Sequence, residues 1–327
     1  MAHIVIELTN RCNLRCRHCF SGRHGKNDEL LMGVFEKLLT EAKPNGFNEI
    51  SFTGGEPSTH RQFSEIMKKT AEAGYTFGFV SNGWNFPKLY KKILHYREQF
   101  QGVTFSMDGA SESSHDELRG NGSYRRLLSA FSICVAKEIP FAINTVLTKI
   151  NQHEVDAMVE LASAFGSSGI RFGHFIPTGR TESDGLSLSS EERYAVEDRV
   201  FRLQTKAAIP VVFAPGYYTR ELFACGPLQE DEINVDHEGN VSLCCHLSGY
   251  GPSVTNLDVV GSLCSISFRE AVARMNVLVD ALKHDKIAQH KTGNFTDDDY
   301  NPCAYCFKRF KIGEQRMPMS GRVASSK

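Results

Sequence analysis

Six short apolar runs alternate with amphipathic stretches between residues 3 and 176, and this alternation limits the possible folds more than any other feature. The runs are "HIVIEL", "EISFTGG", "TFGFVSNG", "GVTFSMDG", "FAINTVLT" and "GIRFGHFI". Each is rich in β-branched or aromatic residues, and most end in glycine or small polar residues, as strands do. The intervening stretches have helical apolar spacing. In "LLMGVFEKLLTEA", Leu31, Val34, Phe35, Leu38 and Leu39 share one face. "FSEIMKKTAEAG" stops at Gly74, and "PKLYKKILHYREQF" carries proline in its first turn. "YRRLLSAFSICVAKE" and "VDAMVELASAFG" complete the set. Strands separated by helices of this length pair in parallel. Six in series predict an α/β fold, a partial (β/α)6 TIM-like barrel.

In such barrels the chemistry gathers at the C-terminal ends of the strands. The unusual clusters of this half, "CNLRC", "TGGEP", "SNG" and "SMDG", all fall there. After Pro177 the pattern changes. "TGRTESDGLSLSSEE" reads as a polar connector, with Ser190 expected to cap the helix "EERYAVEDRVFRLQ", and "IPVVFA" as a strand. From Cys225 the chain is cysteine-rich. "EINVDHEGNVSLCC" reads as a β-hairpin turning at Glu-Gly-Asn, and "FREAVARMNVLVDALKH" as a long helix. The expected divisions are a barrel over 1–180, a connector helix and strand over 181–224, a small C-terminal cysteine-rich hairpin-plus-helix extension over 225–315, and a disordered tail over 316–327.

Composition narrows the partners. The formal net charge is −1, so no overall field draws in nucleic acid or an anionic membrane surface. No apolar run approaches the length of a membrane span, and "MAHIVIELTN" lacks the basic and long apolar regions of a signal peptide. The expected location is the cytoplasm. Ten cysteines in a reducing compartment point to metal or cluster ligation, or to thiol chemistry, rather than to disulfides.

Cys12, Cys16 and Cys19 follow the first strand with C-x3-C-x2-C spacing. Three close thiolates suit zinc or an iron–sulfur cluster. Structural zinc wants a closed set of four ligands, and here the local set stops at three, with the ring of His18 expected to point away. A cubane held by three cysteines keeps one iron open for an outside ligand.

This spacing after a first strand, with Phe20 following and "GGEP" (Gly54, Gly55, Glu56, Pro57) after the second, resembles the radical S-adenosylmethionine (SAM) family over residues 3 to 176. The resemblance implies a 4Fe–4S cluster on Cys12, Cys16 and Cys19 whose open iron is chelated by the amino and carboxylate groups of SAM. One electron would then cleave the sulfonium and give a 5′-deoxyadenosyl radical that abstracts hydrogen from substrate. It further implies that Gly54, Gly55 and Glu56 bring the backbone to the SAM amino group. Ser81 and Asn82 would meet the ribose, and Ser106 and Asp108 would face the same mouth. Arg119 would pair with the SAM carboxylate, and Asn144 would reach ribose or adenine. For Ser106, Asp108 and Asn144 the plain alternative is strand-end hydrogen bonding, and for Arg119 a solvated surface residue.

Cys225, Gly239 and Cys244 form C-x13-G-x4-C, and Cys303 and Cys306 form C-x2-C. The set marks a second metal site, and spacing alone does not separate zinc from a cluster. It is similar to the twitch form of the SPASM extension that follows many radical SAM barrels, which implies one auxiliary 4Fe–4S cluster on those four cysteines. Gly239 suits a turn that needs positive φ. Cys134 reads as core packing and Cys264 as a spare. Cys245, next to Cys244 on an expected strand, would point to the opposite face. There it would suit a hydrogen-atom donor, with an inert buried thiol as the alternative.

Twitch and SPASM enzymes act mainly on ribosomally made peptides, so the resemblance implies a peptide substrate that is cross-linked or epimerised. Because the first strand begins at His3, a leader-binding domain is expected on a separate protein, if the reaction uses one. A flavodoxin- or ferredoxin-like donor would supply electrons. An aminosugar-type small-molecule dehydrogenase or epimerase, and a non-catalytic iron–sulfur scaffold, are the competing readings.

Overall fold

A computed structural model describes residues 2–19, 28–177, 185–214, 220–230, 232–248 and 258–310. Phe20, most of the connector's start and the expected tail over 316–327 lie outside the described residues. Seven strands run in parallel in chain order: β1 (Ala2–Thr9), β2 (Phe47–Gly54), β3 (Thr76–Ser81), β4 (Phe100–Ser106), β5 (Phe141–Leu147), β6 (Ile170–His174) and β7 (Val211–Phe213). The helices between them are α1 (Met32–Ala42), α2 (Phe63–Glu72), α3 (Phe86–Ile93), the pair α4 (Glu112–Arg119) and α5 (Ser123–Lys137), α6 (Val155–Ala164), and α7 (Ser190–Gln204). This is the expected open (β/α) barrel. The connector strand β7 adds a seventh parallel strand beside β6.

The hairpin does not form a sheet of its own. Strand β8 (Glu232–Val235) pairs in parallel with the other edge of β1, β9 (Asn240–Ser242) runs antiparallel to β8, and β10 (Val259–Ser262) closes the edge. One open ten-stranded sheet results, in the order β10-β9-β8-β1-β2-β3-β4-β5-β6-β7. Gly239 takes φ 82° in the turn, where a residue without Cβ is at no disadvantage. The side chain of Asp236 accepts from the backbone N–H groups of Glu238 and Asn240 there. Helices α8 (Gly226–Gln229), α9 (Cys245–Ser248), α10 (Phe268–Lys291), α11 (Asp297–Tyr300) and α12 (Pro302–Arg309) complete the described chain.

Successive strand residues point to opposite faces, and the two faces differ. Ile4, Ile6, Phe52, Phe79, Phe105 and Ile143 face the helices and join one continuous apolar core. Aromatic edges interlock there, as in the Phe63–Phe79 pair at 5.5 Å and 86°. The other face carries Glu7, Thr53, Ser106, Asn144 and Arg171, and Val5 on that side stays outside the core cluster. The sheet thus encloses a polar concave face while the helices take the apolar one.

One boundary differs from expectation by a residue. The N-cap of α7 is Ser189, not Ser190, because only Ser189 stands three residues before Glu192. Their side chains and backbones close a capping box.

Candidate functional site

The chain leaving β1 is folded back on itself by local hydrogen bonds. Thr9 Oγ1 donates to the Asp28 carbonyl at 2.8 Å and accepts from Arg11 N–H, while Asn10 Oδ1 accepts from Asp28 N–H. Arg17 N–H donates to the Leu118 carbonyl, tying the loop to α4. This shape brings Cys12, Cys16 and Cys19 within electrostatic reach of one another. Burial pushes the Cys12 thiol up to about 12 and that of Cys16 to about 11. Leu14 N–H (3.4 Å) and Asn82 Nδ2 (3.8 Å) point at Cys12 Sγ.

The "GGEP" loop presses directly on this segment. Gly55 N–H donates to the Thr9 carbonyl and Glu56 N–H to the Arg11 carbonyl, at 2.7 and 2.8 Å. A Cβ at Gly54 would lie 2.4 Å from Thr9 O, and one at Gly55 2.2 Å from Arg11 O. Only glycine permits that approach, so both glycines set the height of the cysteine loop. The side chain of Glu56, 1% exposed, accepts from Ser58 Oγ and N–H, Ser81 Oγ and Asn82 N–H. Burial pushes its carboxyl up, against those four donors. Glu56 therefore fastens the end of β2 to the end of β3. Asn82 Nδ2 also donates to Asn13 Oδ1 at 3.0 Å, joining the end of β3 to the cysteine loop. Glu56→Ala would leave these donors unmatched and is expected to lower stability by about 2–4 kcal/mol in urea unfolding. An unchanged midpoint would contradict this role.

After β4, Asp108 is fully buried and serves as a hub. Arg119 Nε donates to its carboxylate, His18 Nε2 lies 3.1 Å away, and Val146 N–H donates at 2.7 Å. Burial alone would raise this carboxyl, but Arg119, His18 and the amide hold it well below the usual range. The His18 ring thus turns to Asp108. Burial and the neighbouring Arg119 lower His115 to about 4, and its Nδ1 accepts from Asp108 N–H. Arg119 lies next to Cys16 and Cys19 and counters the burial of Cys16. Ser106 and Asn144 are register partners on the polar face.

Asp108→Asn would strand a buried guanidinium, and the expected loss is about 3–5 kcal/mol. The lowered pKa fixes the sign with pH. The carboxylate stabilises the fold above about pH 4 and loses that effect as pH falls toward its folded value. Variant and parent should therefore converge in stability under acid. A gap that persists at low pH would contradict the assignment.

The second cysteine group also converges. Cys225 precedes α8, Cys244 follows β9, and Cys303 and Cys306 sit one turn apart on α12, close in charge terms to each other and to the first two. Burial raises the thiols of Cys225, Cys303 and Cys306, that of Cys225 to about 11. His246 N–H points at Cys244 Sγ, and His246 Nδ1 lies 3.4 Å from Cys303 Sγ. Cys245 begins α9, because β9 ends at Ser242. Its thiol is raised by its contact with Cys244 and by burial, with Glu7 and Glu232 adding to the effect. Both acids stand on the polar face, on adjacent strands. Cys264, just after β10, is exposed beside the hairpin turn, and Cys134 is packed in the core.

Buried thiols with raised pKa stay protonated at neutral pH unless a cation takes the proton's place. A set of three and a set of four, with amides aimed at sulfur, have the donor chemistry that iron–sulfur cores need. Little in the sequence marks the Asp108–His18 contact or Glu154, which accepts from Ala110 N–H, Ser111 and Ser114. "HDELRGNGSY" singles out Arg119, but its partner lies eleven residues upstream in the loop after β4.

Residues 6–162 match the Radical SAM superfamily. The AdoMet-dependent heme synthase of Methanosarcina barkeri is 30% identical over 220 residues, 66% of this chain and 62% of that protein. A PqqA peptide cyclase of Methylocella silvestris is 24% identical over 93% of this chain and 79% of its own length. The chain thus spans less than two thirds of the first of these relatives. In fold it is similar to Streptococcus suis SuiB bound to S-adenosylmethionine, with TM-score 0.71 and 15% identity over 86% of this chain and 67% of that one. It is also similar to anSMEcpe with bound AdoMet and Kp18Cys peptide, with TM-score 0.66 and 17% identity over 86% and 83% of the two chains. The cysteine loop after β1 and the β2 loop that seats it lie within the matched region, and the chain belongs to the radical SAM superfamily.

Proposed function

We propose that this chain reductively cleaves SAM and abstracts hydrogen from a ribosomally made peptide, forming a cross-link or inverting a Cα centre. The observation that carries the reading is the convergence of three thiols, the Glu56-fastened loop and the Asp108–Arg119 pair beside a polar concave face. When bound, a 4Fe–4S cluster and SAM supply one-electron cleavage of the sulfonium and a carbon radical for hydrogen abstraction. Cys12, Cys16 and Cys19 hold the cluster. Arg119, anchored through Nε on Asp108, presents its remaining donors to the SAM carboxylate. The Gly54–Gly55–Glu56 backbone orients the amino group. Ser81 and Asn82 border the ribose, and Ser106 and Asn144 border the ribose or adenine.

Residues 225–315 form the auxiliary unit, with a second cluster on Cys225, Cys244, Cys303 and Cys306, after a barrel over 1–180 and a connector over 181–224. A peptide is favoured because the PqqA peptide cyclase match runs over nearly the whole chain. SuiB, similar in fold, has been crystallised with its precursor peptide SuiA. A leader-binding protein and a flavodoxin- or ferredoxin-like donor are the proposed partners, and the cytoplasm the proposed location. No described helix is long and apolar enough to cross a membrane.

Mass spectrometry of a co-expressed precursor peptide tests the substrate. Loss of a hydrogen pair marks a cross-link, and deuterium uptake from heavy water at constant composition marks epimerisation. A peptide left unmodified by enzyme that cleaves SAM would overturn the peptide reading. Cys245, beside Glu7 and Glu232, is the proposed hydrogen-atom donor in the epimerising branch. Cys245→Ala is expected to keep SAM cleavage while losing the deuterated product. Undiminished product would return Cys245 to packing.

A further inference from the structure

The long helix α10 buries Phe268, Ala271, Met275, Val279, Leu282 and Lys286. The steps of three and four residues define a single apolar stripe, and its last position holds a lysine. Lys286 is 1% exposed, and its Nζ finds no hydrogen-bond partner among the described residues. Fully buried lysines are rare because desolvation of the ammonium is costly without a compensating charge. The Nζ lies over the Tyr305 ring, 4.6 Å from its centre, and Tyr305 sits between Cys303 and Cys306 on α12. Cys225 and Cys306 are its near thiols. Asp299 is a nearby acid, but its carboxylate is already taken by Lys308 Nζ at 2.8 Å and by Thr296. Among the described residues, Lys286 Nζ has neither a hydrogen-bond nor an ion-pair partner.

We propose that Lys286 is the cationic neighbour of the auxiliary iron–sulfur group on Cys225, Cys244, Cys303 and Cys306, and that it raises that group's reduction potential. This rests on the auxiliary-cluster reading given above. Four thiolates bring four negative charges, which leave a cubane assembly anionic overall, and an added electron makes it more so. A buried cation at the edge of such a site stabilises the reduced state more than the oxidised one, in surroundings that screen charge poorly. Lysine is retained on an apolar stripe because the site opposite it is negative when filled. Lys286 touches no reacting atom in this account. It is a positioning residue that sets the electrostatics of the site.

The test uses Lys286→Met and Lys286→Gln in anaerobically reconstituted full-length protein. Iron and sulfide are counted, and both clusters are titrated with a low-potential chemical reductant under EPR detection. The expected result is unchanged iron content with an auxiliary midpoint lowered by at least about 59 mV, which is a tenfold smaller reduced-to-oxidised ratio for one electron. The barrel cluster's midpoint should not move. Full iron with an unshifted auxiliary midpoint in both variants overturns the proposal and leaves the auxiliary cluster standing. Loss of auxiliary iron from both variants also overturns it, since Lys286 would then hold the group rather than tune it. If the parent protein holds only the iron of the barrel cluster, the auxiliary-cluster reading itself fails.

Discussion

Cys16→Ala is expected to abolish formation of 5′-deoxyadenosine, by more than about 100-fold, since even residues that only support a metal ligand change affinity or activity by 10–100-fold. Cys16 is the centre of the triplet in sequence and lies within electrostatic reach of both Asp108 and Arg119. Without it Cys12 and Cys19 remain, too few to hold a cubane with one open iron. The fold should survive. Cys16 lies on the loop, outside the apolar core. Cleavage at the parent rate by the variant would refute the assignment of the triplet.

Cys303→Ala is expected to lower iron by about four atoms per chain and leave SAM cleavage by the barrel cluster measurable. The four auxiliary thiols come from three separate segments, before α8, after β9 and on α12. No pair of them is adjacent enough to hold a cluster alone. Cys303 and Cys306, one helical turn apart, supply half the set. Removing one leaves three thiols, drawn from the three segments. Unchanged iron would show that the second group is not a cluster site, whatever the fate of the first.

Much of the fold could be read in the chain because its signals are local. A period of two in "TFGFVS" and of 3.6 in "LLMGVFEKLLTEA" requires no knowledge of distant residues. The place of the hairpin could not be read in this way. The β1–β8 pairing joins residues more than two hundred positions apart, as His3 with Glu232, and leaves no mark in either segment. At Cys245 the sequence predicts strand alternation, but the strand stops at Ser242 and a helix begins.

In the site, the triplet and "GGEP" were visible as motifs, but the work of their side chains was not. Glu56 and Ser81 bond to each other, and Asp108 bonds to Arg119 and His18. Polar residues at strand ends look alike in sequence whether they face a cofactor or one another. Lys286 was legible in principle, as a charge on the buried stripe of "FREAVARMNVLVDALKHDK". The stripe becomes decisive only once α12 is known to lie against it.

The central claim is that three half-buried thiols after β1 hold an incompletely ligated iron–sulfur cubane that reduces bound SAM. The most direct measurement is the amount of 5′-deoxyadenosine and methionine released when anaerobically purified protein, supplied with SAM and a low-potential reductant, is incubated without any substrate. The account predicts both products in equal amounts, dependent on the reductant. Protein with its full iron and sulfide that releases neither, or protein that carries zinc at Cys12, Cys16 and Cys19, would contradict it.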